Sequence, residues 1–69
     1  IKLYPNPVSD NLIIQADKPI ESVIIYDLIG TITQEEYTSS FSVEKLIPGI
    51  YLIEITANNQ TISKRFVKQ

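Results

Sequence analysis

The strongest constraint on this chain is its punctuation. Three short segments, Leu3-Tyr4-Pro5-Asn6-Pro7, Tyr26-Asp27-Leu28-Ile29-Gly30 and Pro48-Gly49-Ile50-Tyr51, set turn-forming residues against the ends of apolar runs. Between them apolar side chains alternate rather than recur every three or four residues, which is the period of strands and not of helices. Pro5 and Pro7 have no backbone N–H to give to a ladder, so a regular paired strand cannot pass through them. Asn6, placed before a proline, is pushed toward extended or polyproline geometry. Lys18-Pro19 separates the second and third runs. Asp27 to Gly30 reads as a tight hairpin turn in which Gly30 takes positive φ, and Asn58-Asn59 reads as another because asparagine tolerates the left-handed region.

The runs between these turns predict seven short strands. They cover Ile1 to Tyr4, Asn11 to Ala16, Ser22 to Asp27, Thr31 to Tyr37, Phe41 to Val43, Ile50 to Ala57 and Gln60 to Val67. Leu12, Ile14 and Ala16 share one face of the second strand, and Val23 and Ile25 one face of the third. Ile24 and Tyr26 make the other face of that third strand apolar as well, the mark of a central strand. Phe41 and Val43, then Tyr51, Ile53 and Ile55, complete the expected inward set. Glu44 to Gly49 fits one helical or 3₁₀ turn plugging an end of the fold, with Pro48-Gly49 in a type II turn. The last run carries a conflict, because strict alternation puts Lys64 on the face of Ile62 and Phe66. Either a bulge near Ser63 to Arg65 shifts the register, or the strand is an edge whose lysine reaches past the core to solvent. Seven short antiparallel strands with turns at this spacing predict an all-β, immunoglobulin-like antiparallel β-sandwich.

A chain of 69 residues is one domain and must pack a dense core to be stable. Its 43% hydrophobic content, rich in isoleucine, supplies that core, and the absence of cysteine means that no disulfide assists it. The net charge of −2 implies no partner, but its distribution is uneven. Lys64, Arg65 and Lys68 give the last six residues +3, leaving the first 63 at −5. Three cations are too few for nucleic acid, and their simplest role is to guard a sheet edge. No run approaches the roughly 18 apolar residues of a membrane span, so membrane insertion is not expected. No secretory leader stands at the N-terminus and the chain does not begin with Met, so it reads as a piece of a longer polypeptide.

Catalytic chemistry finds few candidates. With no His and no Cys, the commonest general base and the commonest soft metal ligand are missing. The serines have only Lys45 or Lys64 as conceivable activators. Eight scattered carboxylates leave no room for a cleft of the kind glycoside hydrolysis needs. Asp10 or Asp17 with turn carbonyls would make at most a weak Ca²⁺ site, unsupported by any dense Asp/Asn/Gly loop. Two glycines make no phosphate-cradling loop. Of Tyr4, Tyr26, Tyr37 and Tyr51, which could form a platform for sugars or bases but more often serve as core or half-core, Tyr51 fits the inward face, while the alternation does not place Tyr4 and Tyr37. No catalytic, cofactor-binding or metal-binding residue is therefore expected, and the chain reads as a non-enzyme.

In order and spacing the punctuated segments resemble the C-terminal sorting domains, or Por secretion tails, that the type IX secretion system of Bacteroidetes reads on exported proteins. Leu3-Tyr4-Pro5-Asn6-Pro7 before Leu12-Ile13-Ile14 is similar to the opening of that family. Val23 to Gly30 is similar to its central hairpin, and Phe41 to Leu46 with Pro48-Gly49-Ile50-Tyr51-Leu52-Ile53 to its most recognisable segment. Lys64-Arg65-Phe66-Val67-Lys68 resembles its basic-apolar finish. Ile29 departs from the pattern, where a small or polar turn residue is commoner. Together these span almost the whole chain.

The resemblance implies a folded address tag at the C-terminus of a secreted protein. Its partners would be an outer-membrane secretion translocon and a sortase-like cysteine protease. Its route would run through the periplasm to the cell surface or the medium. Tyr4, Pro5, Asn6, Pro7, Asp27, Gly30, Gly49, Tyr51, Lys64 and Arg65 are the motif residues that would carry recognition. Two other readings are a non-catalytic immunoglobulin-like ligand-binding or adhesive module of a secreted enzyme, and an inert spacer.

Overall fold

A computed structural model describes residues Ile1–Gln69. Its elements run β1 (Lys2–Tyr4), β2 (Asn11–Gln15), β3 (Ile20–Tyr26), β4 (Ile32–Glu36), β5 (Ser40–Ser42), β6 (Gly49–Ala57) and β7 (Gln60–Lys68). They form two antiparallel sheets, β1-β2-β5 and β4-β3-β6-β7. The order is that of an immunoglobulin-type sandwich in which β4 sits beside β3, as an added C′ strand sits beside C. All seven expected strands are present, with ends moved by one or two residues.

The core lies between the sheets and follows the alternation. Leu12 and Ile14 of β2, Val23 and Ile25 of β3, Phe41 of β5, Tyr51, Ile53 and Ile55 of β6 and Phe66 of β7 are all buried, joined by Val8, Val43 and Leu46 from the loops. Ala16 is a correction: β2 ends at Gln15, and Ala16 lies beyond it, half-buried. β3 is central, between β4 and β6, as its two-sided apolar pattern requires. The register of β7 against β6 runs without a shift from Gln60↔Ala57 to Lys68↔Gly49. The conflict at Lys64 is therefore settled by the edge position of β7 and not by a bulge. The irregularities fall instead on β3, near Ile20–Ser22 and Ile25–Tyr26.

The turns follow local chemistry. Asn58 and Asn59 both have positive φ, 54° and 61°, so a two-residue loop closes β6 onto β7 with the twist such hairpins need. Asp27 organises the β3–β4 turn. Its carboxylate accepts the N–H groups of Ile29 (3.1 Å) and Thr31 (2.9 Å), and its carbonyl accepts the N–H of Gly30, whose φ is +93°. The segment after β5 makes a single turn closed by Leu46 N–H on the Val43 carbonyl, 3.0 Å. Leu46 plugs the core, while Ile47 faces solvent. Gly49 does not occupy a type II turn: its φ of 158° is far from the roughly +80° such a turn requires, and it opens β6 opposite Lys68.

Tyr51 joins these parts. Its ring stacks on Phe66, directly opposite on β7, with centroids 5.6 Å apart, and its hydroxyl donates to the Ile47 carbonyl. One side chain thus packs the last hairpin and ties down the loop before it. We expect Tyr51→Ala to cost about 3 kcal/mol or more, as for a large buried aromatic. Tyr51→Phe should cost only about 1 kcal/mol, the net worth of one hydrogen bond. Urea midpoints for the two variants check this, and equal losses would place the stabilisation in the hydroxyl rather than in the ring.

Candidate functional site

The opening motif acts on the far end of the chain. Tyr4 closes β1 opposite Ile13, after which Pro5, Asn6 and Pro7 bend the backbone away from the three-stranded sheet toward β7. There the Asn6 side-chain carbonyl accepts the N–H of Val67 at 2.9 Å. Val8 N–H donates to the Val67 carbonyl at 2.9 Å, Gln69 N–H donates to the Val8 carbonyl at 2.8 Å, and Val8 forms a parallel bridge with Lys68. The Val8 side chain is fully buried in the core. Residues 6–8 are therefore a clasp that holds the C-terminal end of β7. The prolines explain the bend: with no N–H to offer β2, Pro5 and Pro7 release the chain from the first sheet.

The basic finish is not one cluster. Arg65 is exposed on the outer face of β7, and Lys64 is half-buried on the inner face. Lys68 is only 7% exposed, its Nζ donating to the Gln69 carbonyl at 2.9 Å. Two of the three cations remain available to a partner. Leu3, Asn6, Ser63, Lys64 and Arg65 line a groove of about 420 Å³ between the clasp and β7. The structure thus brings Asn6 together with Lys64 and Arg65, whereas Asp27 and Gly30 shape a turn two strands away on the sheet. Gly49 pairs with Lys68, and Tyr51 supports β7 from inside. Sequence reasoning missed Val8; its one signal is a lone apolar residue between Pro7 and the polar Ser9-Asp10.

The outer face of the larger sheet has two cross-strand polar contacts, the Thr56–Thr61 hydroxyl pair at 2.9 Å and a bond that reaches a titratable group. Tyr26 donates its hydroxyl to Glu54 Oε1 at 2.9 Å, across the β3–β6 pair. That bond, then desolvation and the negative charges of Glu54 and Glu35, hold the phenol above its ordinary value of 10.0. No three His, Cys, Asp or Glu side chains gather into a metal-holding group, and no helix is long and apolar enough to cross a membrane.

Fold and site together define a small antiparallel β-sandwich whose motif residues serve turns, a clasp and a groove rather than a reaction centre. The family model described as the secretion system C-terminal sorting domain matches residues 2–69, and the chain belongs to that family. It is a sorting signal for type IX secretion, which directs export to the cell surface or the medium; the family is one of signals, not of catalytic domains. No curated protein and no solved structure matches the chain.

Three expected outcomes follow from this geometry. Asn6→Ala should destabilise by about 1 kcal/mol, since water can reach the freed Val67 N–H, and Val8→Ala by about 2 kcal/mol for a buried side chain with its cavity. Denaturant unfolding reads both, and a silent Val8→Ala would remove the clasp from the account. For Tyr26 the raised phenol fixes the sign of the pH effect. Its contribution is complete below pH 10.0, the unperturbed value, and is lost as pH rises through the higher folded-state value. In the ultraviolet titration of the native protein, Tyr26→Phe should remove a phenol step that lies above pH 10.0.

Proposed function

We propose that this domain takes its cargo from the periplasm through an outer-membrane translocon and is then cut away by a sortase-like cysteine protease. Lys64 and Arg65, beside Asn6, are the recognition residues of that handover. The observation that carries the reading is the extent of the family match, which spans residues 2–69 and therefore both sheets, the clasp and the groove. Because the match takes in the whole sandwich, the signal is read here as a folded surface and not as a linear peptide.

The test is a fusion of residues 1–69 to the C-terminus of a periplasmically exported reporter in a host with the type IX system. The reporter should reach the surface or medium. Removing Lys64 to Gln69 would also remove Phe66 from the core and Val67 from the clasp, so it confounds recognition with folding. Lys64→Glu combined with Arg65→Glu separates them, and we expect a folded domain whose reporter is retained in the periplasm. Export equal to the parent's would reduce the two cations to edge guards. Retention of the parent fusion in a competent host would sink the sorting route and favour the ligand-binding module.

A further inference from the structure

The β7 edge is sealed over its last residues and open over the rest. In the β6–β7 hairpin the Asn58-Asn59 loop is closed by Ala57↔Gln60, so the even-numbered residues of β7 exchange hydrogen bonds with β6. The odd-numbered residues turn their backbone groups away from β6. At Val67 those groups are taken by Asn6 and Val8. At Thr61, Ser63 and Arg65 the N–H and C=O groups have no partner, because β7 is the last strand of its sheet and Val8↔Lys68 is the one bridge on that side. The chain that would continue the clasp back along β7 has already gone to the other sheet as β1. What remains is a straight strand edge with no proline and no register shift, bordering the groove lined by Leu3, Asn6, Ser63, Lys64 and Arg65.

From this we infer that the Thr61–Arg65 edge is a strand-addition site that takes an extended, carboxylate-bearing segment of a partner protein as a fifth strand of the larger sheet. Main-chain bonds to Thr61, Ser63 and Arg65 supply the docking, and side chains supply the selectivity. Alternate residues of the incoming strand face inward past Lys64 and Leu3 or outward past Arg65. No acid lines the groove to neutralise either cation, so carboxylates on the incoming strand meet unpaired positive charge on both faces. A second copy of this chain fits less well, since it would bring its own Lys64 and Arg65 to the same edge. This inference rests on the sorting reading for its biological partner, but not for its test.

The probe is an eight-residue valine- and threonine-based peptide with two adjacent glutamates at its centre, one for each face of the strand, titrated into the labelled 69-residue chain, with its glutamine counterpart as control. Strand addition predicts chemical-shift changes concentrated at the Thr61, Ser63 and Arg65 amides. Lys64→Gln with Arg65→Gln should weaken binding roughly fivefold or more at low ionic strength, with the loss shrinking as salt screens the pairs. Ser63→Pro removes an N–H that β6 does not use, so the hairpin survives as an edge strand tolerates proline, yet peptide binding should be lost. If that variant does not fold, the glutamine double variant and the glutamine peptide still decide the matter. Shifts centred elsewhere, equal binding of both peptides, no binding at millimolar peptide, or self-association through β7 would overturn the inference. In the secretion host, an exported parent fusion with an equally exported, folded Ser63→Pro fusion defeats strand addition alone. A parent fusion that is not exported defeats the sorting route and leaves the peptide result standing.

Discussion

The fold depends on a contact between the two ends of the chain. Residues 6–8 leave one sheet, and Asn6 and Val8 bond the backbone of Val67 and Gln69 at the end of the other. Without that crossing, the sheets would be held by side-chain packing, by the connections between strands and by one bond at the far edge, where the Gln34 side chain of β4 donates to the Ser42 carbonyl of β5 at 2.7 Å. With it, Val8 is driven into the same core as Phe66, and the C-terminal strand is fixed on both sides at its last residues. A chain of this size has little redundancy: twelve apolar side chains make the core, so each one matters.

The rest of the architecture serves the same hairpin. Tyr51 stacks on Phe66 and anchors the Ile47 carbonyl, which keeps the loop after β5 against the body. The left-handed Asn58-Asn59 turn sets the β6–β7 register, and Glu21 reinforces it by accepting the Asn59 N–H at 3.0 Å. That register decides which backbone groups of β7 face β6 and which face away. The domain therefore presents a partly open strand edge with two cations beside it. Position and charge there follow from packing decisions made elsewhere in the fold.

Much of this was legible in the residues. The alternation at Val23/Ile25 and at Tyr51/Ile53/Ile55 placed the core faces, and the Asp27–Gly30 and Asn58-Asn59 signals placed two turns, because both depend on chemistry within a few residues. What depended on distant partners was not. Nothing near Lys68 announces that it is buried, since its burial comes from Val8 crossing over from the other sheet. Alternation alone could not choose between a bulge and an edge at Lys64; strand order decides it. Pro48-Gly49 has the composition of a type II turn, yet pairing with Lys68 draws Gly49 into β6 instead. At the candidate site, the motif residues were visible, but their division into turn formers, a clasp and a groove required the long-range register.

The central claim is that the clasp divides one continuous strand into a sealed end and an open edge. Amide hydrogen exchange on the native chain tests it most directly. The account predicts slow exchange at Val67 and Gln69, whose N–H groups are held by Asn6 and Val8, and fast exchange at Thr61, Ser63 and Arg65 within the same β7. Protection spread evenly along the odd residues of β7, or Val67 and Gln69 exchanging as fast as Ser63, would contradict it.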